Sequence, residues 1–416
     1  MKLDLDTCEE ILLTITRNKT RSLLTAFGIF WGIFMLIALM GGGHAMQEKM
    51  QQQFAGFATN SGFIAAMPTS EPYRGFRKGR HWDLELADIG RLREGVPGLD
   101  VVTPNTSRWN SKVVFEDKEA SCSVKGNMAD YVHIETPVML YGRYLNDIDV
   151  RESRKVCVIG KRIYENLFHA DEDPCGRSIC IDGVYYRVIG VCASSGKINI
   201  QGSAEESVIL PFTTMQHTYN LGNKIQIICY TARPGYRVSD LEPEIGRILK
   251  AAHYIAPDDR QALMLLNAEA VFTTVDNLFL GIHILIWMVG LGTLLAGAIG
   301  VSNIMMVTVR ERTTEIGIRR AIGARPRDIL EQILTESLVL TTLAGLAGLT
   351  FGVVVLQLAE MGVNGESLPN EYVHFQVSFG AAVGMCVLLA VLGTLAGLAP
   401  AYRAMAVKPI DAIREE

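Results

Sequence analysis

No C-x-x-C pair, no H-E-x-x-H helix and no G-x-x-x-x-G-K-[ST] loop occurs in these 416 residues. Those gaps remove the zinc-ribbon, zinc-protease and phosphate-cradling signatures. Gly160-Lys161-Arg162 and Gly196-Lys197-Ile198 come nearest to a phosphate loop, but each lacks the upstream glycine and the hydroxyl residue. ATP is therefore not expected to bind this chain through such a loop, and the chain carries no cofactor site of its own. The eight histidines are scattered, and no Ser/His/Asp arrangement stands out. Neither a catalytic site nor a metal site is read, and the chain is taken as non-catalytic. An excess of positive charge is also missing. The formal charge is -5 and the pI near 6.0, with no basic arm interleaved with aromatics, which argues against nucleic acid as a partner.

What several long stretches lack is any charge at all. Ser22–Gln47, Asn277–Val309, Ser337–Ala359 and Tyr372–Tyr402 contain no Asp, Glu, Lys or Arg. A spanning helix needs about 20 mostly apolar residues, so each run qualifies. Hydrophobic residues make up 49% of the chain and mean hydropathy is +0.21, which fits a membrane protein with a large watery part. The first run is not read as a cleaved signal peptide: Asp4, Asp6, Glu9 and Glu10 precede it, and no small-residue cleavage site follows.

Basic residues set the expected orientation. Arg17, Lys19 and Arg21 precede the first run; Arg310, Arg312, Arg319, Arg320, Arg325 and Arg327 lie between the second and third; Arg403, Lys408 and Arg414 follow the fourth. The loop Glu360–Glu371 has no Lys or Arg. Both termini are thus expected in the cytoplasm, with the long segment between the first two helices outside. Asn277–Val309 would be about 50 Å long at 1.5 Å per residue, against a hydrocarbon core of about 30 Å, so it should extend beyond the membrane, as should the first helix through Ala45–Phe57.

The outer segment is long enough for its own core. Asp83–Glu94 and Val238–Ala252 read as amphipathic helices, and Lys161–Phe168 as a helix following a strand at Lys155–Gly160. Lys112–Phe115 and Ser121–Lys125 read as strands around a polar turn, and Lys224–Ala232 as another strand. Ser178–Ile181 and Val184–Val191 form a hairpin across Asp182-Gly183. The fold class is therefore an α-helical membrane protein with four transmembrane helices and a large α+β extracytoplasmic domain inserted between helices one and two.

The stretch ERTTEIGIRRAIGARPRDILEQILTESL, from Glu311, has an order of residues that its charge alone does not explain. Ile318, Ala321 and Ile322 fall at i, i+3 and i+4, and Glu315 stands one turn before Arg319. The stretch resembles the signature loop of the FtsX-like permease family, the membrane subunits of MacB-type ABC transporters. RKVCVIGKRIYENLF, DEDPCGRSICIDGVYYRVIGV and ESVILPFTTM resemble the MacB-like periplasmic core domain more loosely, and the closing segment from Pro400 to Arg414 resembles the family's end. The resemblance implies a permease subunit without enzymatic activity, in a multi-pass bacterial inner-membrane protein. It would pair with a second permease, identical or homologous, and with a separate ATPase that binds MgATP; MacB itself carries that ATPase ahead of helix one. It further implies export of peptides, antibiotics, toxins or lipoproteins, by transmission of motion to the outer domain and with a periplasmic adaptor and an outer-membrane exit protein. An FtsX-like signalling or scaffold role over a cell-wall hydrolase is the alternative.

On this resemblance the chain divides into an amphipathic N-terminal helix (1–21), helix one (22–47), the outer domain (48–276), helix two (277–309), the coupling loop (310–330), helix three (333–359), a short outer loop (360–371), helix four (372–402) and a tail (403–416). The residues expected to couple to the ATPase are Arg312, Glu315, Ile316, Gly317, Ile318, Arg319, Arg320, Ala321, Gly323 and Ala324. Gly28, Gly32, Ala344, Gly348 and Gly352 have the small-xxx-small spacing of close helix contacts, as do Gly393 and Gly397. Glu336 is either a solvated helix end or the partner of a coupling-loop arginine. Arg403 and Lys408 either anchor in the interface or touch the ATPase. His283 is either a functional intramembrane group or an interfacial one. The outer cysteines, Cys122, Cys157, Cys175, Cys180, Cys192 and Cys229, read as small apolar side chains, with Cys175–Cys180 or Cys157–Cys192 bridges as the alternative.

Overall fold

A computed structural model describes residues 19–169, 172–197, 199–365 and 372–407. The chain forms two compact units: one is Met50–Asn277, and the other joins the residues before Met50 to those after Asn277. The expected amphipathic helix over 1–21 lies outside the described residues except for its last three, as does the tail beyond Val407.

The first described element is α1 (Lys19–Gln53), longer at both ends than the uncharged run. In the mixed unit, β1 (Ser61–Ala66) leads to β2 (Leu84–Glu85) and α2 (Leu86–Gly95), followed by β3 (Leu99–Phe115) and β4 (Lys118–Asn127). Next come β5 (Val138–Gly142), α3 (Asp147–Arg151), β6 (Val156–Gly160) and α4 (Lys161–Leu167). The hairpin β7 (Ser178–Ile181) and β8 (Val184–Ala193) precedes β9 (Ser207–Pro211) and α5 (Phe212–Thr218). β10 (Lys224–Ile225), β11 (Ile227–Ala232), α6 (Val238–Ala252) and β12 (Leu263–Asn267) complete the unit.

Ten of these strands make one mixed sheet in the order β12-β1-β11-β3-β4-β9-β6-β8-β5, with β7 paired to β3 and β8. Two cores form on it. Val102 of β3, Ile228 of β11, Leu92 of α2 and Leu241, Ile245 and Leu249 of α6 pack in one. Val113, further along the same β3, packs in the other with Val124, Val188, Val208 and Ile163. The pairing of β3 with β4 shifts register between Arg108 and Ser111, where Asn110 has φ 58°, the irregularity of a bulged strand.

Several boundaries differ from the sequence reading for local reasons. α2 starts at Leu86 rather than Asp83 because the Asp88 carboxylate accepts the Glu85 backbone N–H at 2.8 Å and closes the helix start there. The strand expected over Lys224–Ala232 breaks at Gln226, whose amide pairs with the backbone of Ser107, accepting from its N–H and donating to its carbonyl at 3.0 Å each. The Asp182-Gly183 turn holds both residues at positive φ, 47° and 88°, as a two-residue turn of matching twist requires.

Lys125 lies buried on β4, its Nζ donating to the carbonyls of Ile200 (2.9 Å) and Gly202 (2.6 Å). Glu135, close enough to interact with it electrostatically, accepts from the Tyr131 hydroxyl at 3.2 Å. Burial pulls the lysine below its ordinary value and pushes the glutamate above its own, each partly offset by the opposite charge. The described cysteines are all free. Cys157 faces the second core and Cys192 a separate small cluster with Leu145 and Ile209, so the two do not meet. Burial pushes the Cys122 and Cys192 thiols up to about 12, which makes them poor nucleophiles.

The helical unit continues with α7 (Ala268–Glu311), α8 (Thr313–Ala321), α9 (Pro326–Asn364) and α10 (Phe379–Met405). α1, α7, α9 and α10 are long and apolar enough to cross a membrane. α7 has 44 residues, about 66 Å at 1.5 Å per residue. The helix expected from Tyr372 begins at Phe379 instead. Side chains take up the N–H groups of the preceding backbone: Val373 N–H donates to Asn364 Oδ1 (3.0 Å), His374 N–H to Glu48 Oε2 (2.8 Å) and Phe375 N–H to Glu360 Oε2 (3.1 Å). His283 sits within α7, its Nδ1 2.8 Å from the Phe279 carbonyl oxygen.

Candidate functional site: the loop between the second and third long helices

α7 ends and α8 begins with almost no break. The Thr313 hydroxyl donates to the carbonyls of Val309 (3.2 Å) and Arg310 (2.8 Å) across the junction. Gly323, at φ 109°, then turns the chain in a conformation that disfavours a side chain. α9 opens with Pro326 in its first turn, a position where the missing N–H is not needed, and the Asp328 carboxylate accepts from Arg325 N–H at 2.9 Å. The result is a nine-residue helix held between two long ones.

The ten residues singled out in the sequence sort onto two sides. On the inner side, Gly317 is buried and Ile316 packs against the apolar core of the bundle. Arg312 Nη1 lies 3.8 Å from Glu336 Oε2, which is almost completely buried on α9. Arg319 pairs with Glu315 at 2.9 Å and donates to Gln332 Oε1 at 2.9 Å. Arg320 donates to the backbone carbonyls of Met405 (2.9 Å) and Val407 at the end of α10. On the outer side stand Ile318, 48% exposed, and Ile322, 82% exposed, with Ala321 and Gly323 exposed beside them and Ala324 half-buried. Arg310, Arg325 and Arg327, before and after α8 in the chain, are exposed as well.

Charge and exposed apolar surface are thus separated. The three arginines within or next to α8 fasten it to α9 and α10, and the isoleucines face outward. The sequence offered Glu336 as the partner of a coupling-loop arginine but gave no sign of the carbonyls of Met405 and Val407. Backbone acceptors leave no signature in a sequence.

The small residues lie at helix crossings. A side-chain carbon at Gly28 would stand 3.4 Å from Gly297 Cα, and one at Gly32 3.0 Å from Leu294. At Gly348 it would meet the Phe30 carbonyl oxygen at 2.5 Å, and at Gly352 it would meet Ile37 at 2.9 Å. Ala344 is buried in the same core. Ser337 donates to the Gly393 carbonyl at 2.8 Å. Gly297, outside the spacing noted in the sequence, supplies the facing half of the contact at Gly28.

Residues 22–248 match the family model of the MacB-like periplasmic core domain, and residues 265–409 that of the FtsX-like permease C-terminal region. The chain is 29% identical over 399 residues to the pyoverdine export ATP-binding/permease protein PvdT of Pseudomonas syringae pv. tomato, covering 96% of this chain and 58% of that protein. It is 30% identical over 336 residues to the macrolide export ATP-binding/permease protein MacB of Aggregatibacter actinomycetemcomitans, covering 80% and 50%. It therefore spans little more than half the length of these relatives. Among solved structures, the periplasmic region of MacB from Actinobacillus actinomycetemcomitans aligns with a TM-score of 0.43 and 23% identity, covering 55% of this chain and 98% of that one.

Proposed function

We propose, from the premise that the chain belongs to the MacB/FtsX-like permease family, that it couples ATP hydrolysis by a separate ATPase subunit to motion of its extracytoplasmic domain. The observation that carries this reading is the division of labour on α8. Its arginines are engaged within the chain, whereas Ile318, Ala321 and Ile322 are left exposed, with further exposed arginines, Arg310, Arg325 and Arg327, in the flanking sequence. An apolar spot of that size is too small to hold a partner as a flat patch, but it suits insertion into a groove on an ATPase whose rim is acidic.

Force applied to α8 would pass through Arg312 and Arg319 into α9 and through Arg320 into α10. It would reach α7 through the near-continuous junction at Arg312. The chain passes between its two units inside α1 and α7, at Lys49–Met50 and Asn277–Leu278, so each passage is helical. This supports transmission of movement rather than a pore as the working principle. The working assembly would hold two permeases and two ATPases in an inner membrane, with both termini cytoplasmic. The relatives are named for pyoverdine and macrolide export. For this chain we carry over only the class: export of extracytoplasmic compounds such as peptides, antibiotics, toxins or lipoproteins, with an adaptor and an exit protein.

The test is purification of the tagged chain from its native membrane in mild detergent. A stoichiometric ATP-binding subunit retained by the wild type, and lost from Ile318→Asp with Ile322→Asp and from Gly317→Trp, is the expected result. Retention of that subunit by all the variants, or its absence from the wild type, contradicts the reading.

A further inference from the structure

The loop between β1 and β2 has no part in the function argued so far. Between Met67 and Trp82 it carries Arg74, Arg77, Lys78 and Arg80 against Glu71 alone, in a chain whose overall charge is -5. None of the four cations is in an ion pair among the described residues. The loop is nevertheless a built object. Thr69 N–H donates to the Arg80 carbonyl at 3.1 Å, and Gly79 N–H to the Thr69 carbonyl at 2.7 Å. Tyr73 and Phe76 exchange backbone bonds of 3.1 and 2.9 Å around a tip where Arg74 and Gly75 have φ 47° and 87°.

A buried carboxylate holds the base. Asp259 accepts from Ser70 N–H and Oγ at 2.7 Å each, from Glu71 N–H at 3.1 Å, and from Gln261 and Ala262 N–H at 3.0 and 3.1 Å. Trp82 Nε1 donates to the Met67 carbonyl at 2.9 Å. The side chains of the tip are ordered too. The Arg80 guanidinium lies 4.1 Å from the Phe76 ring centre, and that of Arg74 sits 5.5 and 5.7 Å from the rings of Tyr73 and Tyr254. Phe76 is 44% exposed and Tyr254 51%.

The place of this finger is fixed by strand pairing. β1 runs against β12 with Gly62 opposite Asn267 and Ala66 opposite Leu263, and α7 begins immediately after Asn267. The finger therefore rises from the strand end opposite the one that feeds the helix. Its composition, arginine stacked on exposed aromatic rings, is the one enriched at the centres of protein interfaces. Its fixed backbone removes the ordering cost that a mobile loop would incur on binding. A non-glycine residue held at positive φ at the tip is a local cost that the rest of the loop maintains.

We propose that residues 70–81 are a docking finger for an extracytoplasmic protein that presents carboxylates around an apolar spot. The experiment places the photo-crosslinker benzoylphenylalanine at Phe76 of the full chain in its native membrane and identifies the adduct and its linked peptide by mass spectrometry. The expected adduct is with another protein, at an Asp/Glu-rich segment. Its yield should fall about tenfold when Arg77→Glu and Lys78→Glu reverse the rim charge, and return when the mapped carboxylates are changed to lysine. Arg77 and Lys78 are exposed, so the fold should tolerate both changes. Should the reversed chain melt lower than wild type, Arg77→Gln with Lys78→Gln repeats the measurement. An adduct with lipid, an adduct with a second copy of the chain, a yield indifferent to the charge reversal, or no adduct overturns the proposal.

Discussion

Arg320 on α8 and Met405 at the end of α10 are joined by a hydrogen bond of 2.9 Å from the guanidinium Nη1 to a backbone carbonyl, although 85 residues separate them in sequence. Hydrogen bonds to charged groups contribute about 1.5–3 kcal/mol when shielded, and less for a half-exposed side chain such as this. Arg320→Ala should loosen α8 without releasing the bundle. Amide exchange of residues 313–321 should quicken by about tenfold, the equivalent of about 1.4 kcal/mol of local stability, while α9 and α10 keep their protection. Unchanged exchange in α8 would mean that the bond does not hold the helix.

Gly348 has no room for a side chain, because the Phe30 carbonyl oxygen lies 2.5 Å from where the first carbon would stand. Backbone cannot yield as a flexible side chain can. Gly348→Leu should therefore separate α1 from α9 at a cost of about 1–3 kcal/mol and lower the melting temperature of the detergent-solubilised chain. Gly362→Leu, at a position where nothing lies within 4 Å, should leave it unchanged.

Lys125→Met removes the donor to Ile200 and Gly202 and leaves Glu135 without its nearby cation. Leaving the carbonyls of the half-buried Ile200 and Gly202 without their donor is destabilising by about 1–3 kcal/mol. The first consequence should appear in residues 194–203, which also reach Gln53 through Lys197 N–H (2.9 Å) and Thr136 through the Ser195 hydroxyl (2.7 Å). Limited proteolysis should cut there in the variant well before it cuts the wild type. An equal rate would show that the lysine does not pin this loop.

Asp88, Asp149 and Asp259 are among the carboxylates that set the mixed unit's behaviour in acid, beside Asp182, where burial is outweighed by the Lys112 backbone N–H, Ser111 and Tyr219. Burial alone would raise Asp88, Asp149 and Asp259, but hydrogen bonds outweigh it. Asp88 is held low by His253, the Glu85 backbone and Arg91, Asp149 by Arg143 and the Asn146 backbone, and Asp259 by Ser70 and neighbouring N–H groups. Folded values below the ordinary 3.8 mean that the stabilisation is complete above that pH and is lost as pH falls through it. Tryptophan-fluorescence melts should be level from about pH 7 to 5 on this account and decline below about 4. Asp259→Asn should melt lower at neutral pH and lose less on acidification. A variant as acid-sensitive as the wild type would remove Asp259 from the explanation.

The four long helices were legible because absence of charge over a membrane's thickness is a strong signal, and α6 because Leu241, Ile245 and Leu249 mark one face. The start of α10 was not legible. Tyr372–Val377 is as uncharged as a helix, but the side chains of Asn364, Glu48 and Glu360 accept N–H groups within it and it is not helical. Strand order was equally hidden, since β4 finds β9 and β6 finds β8 in parallel across long separations. In the loop after α7, the order of residues marked a short helix between two long ones, but not the side each residue faces. The spacing put Ile318, Ala321 and Ile322 on one face, whereas which partner on α9 or α10 holds each of Arg312, Arg319 and Arg320 lies too far along the chain to be read.

β3 belongs to both cores of the mixed unit, contributing Val102 to one and Val113 to the other. A single covalent ribbon shared in this way works as a common girder: neither half can be excised and refolded by itself, because each would take with it a wall the other needs. Strain entering at β1 and β11 is handed along a continuous strand to β4 and β7, with the register shifts opposite Tyr230–Ala232 and between Arg108 and Ser111 as places where the girder can flex.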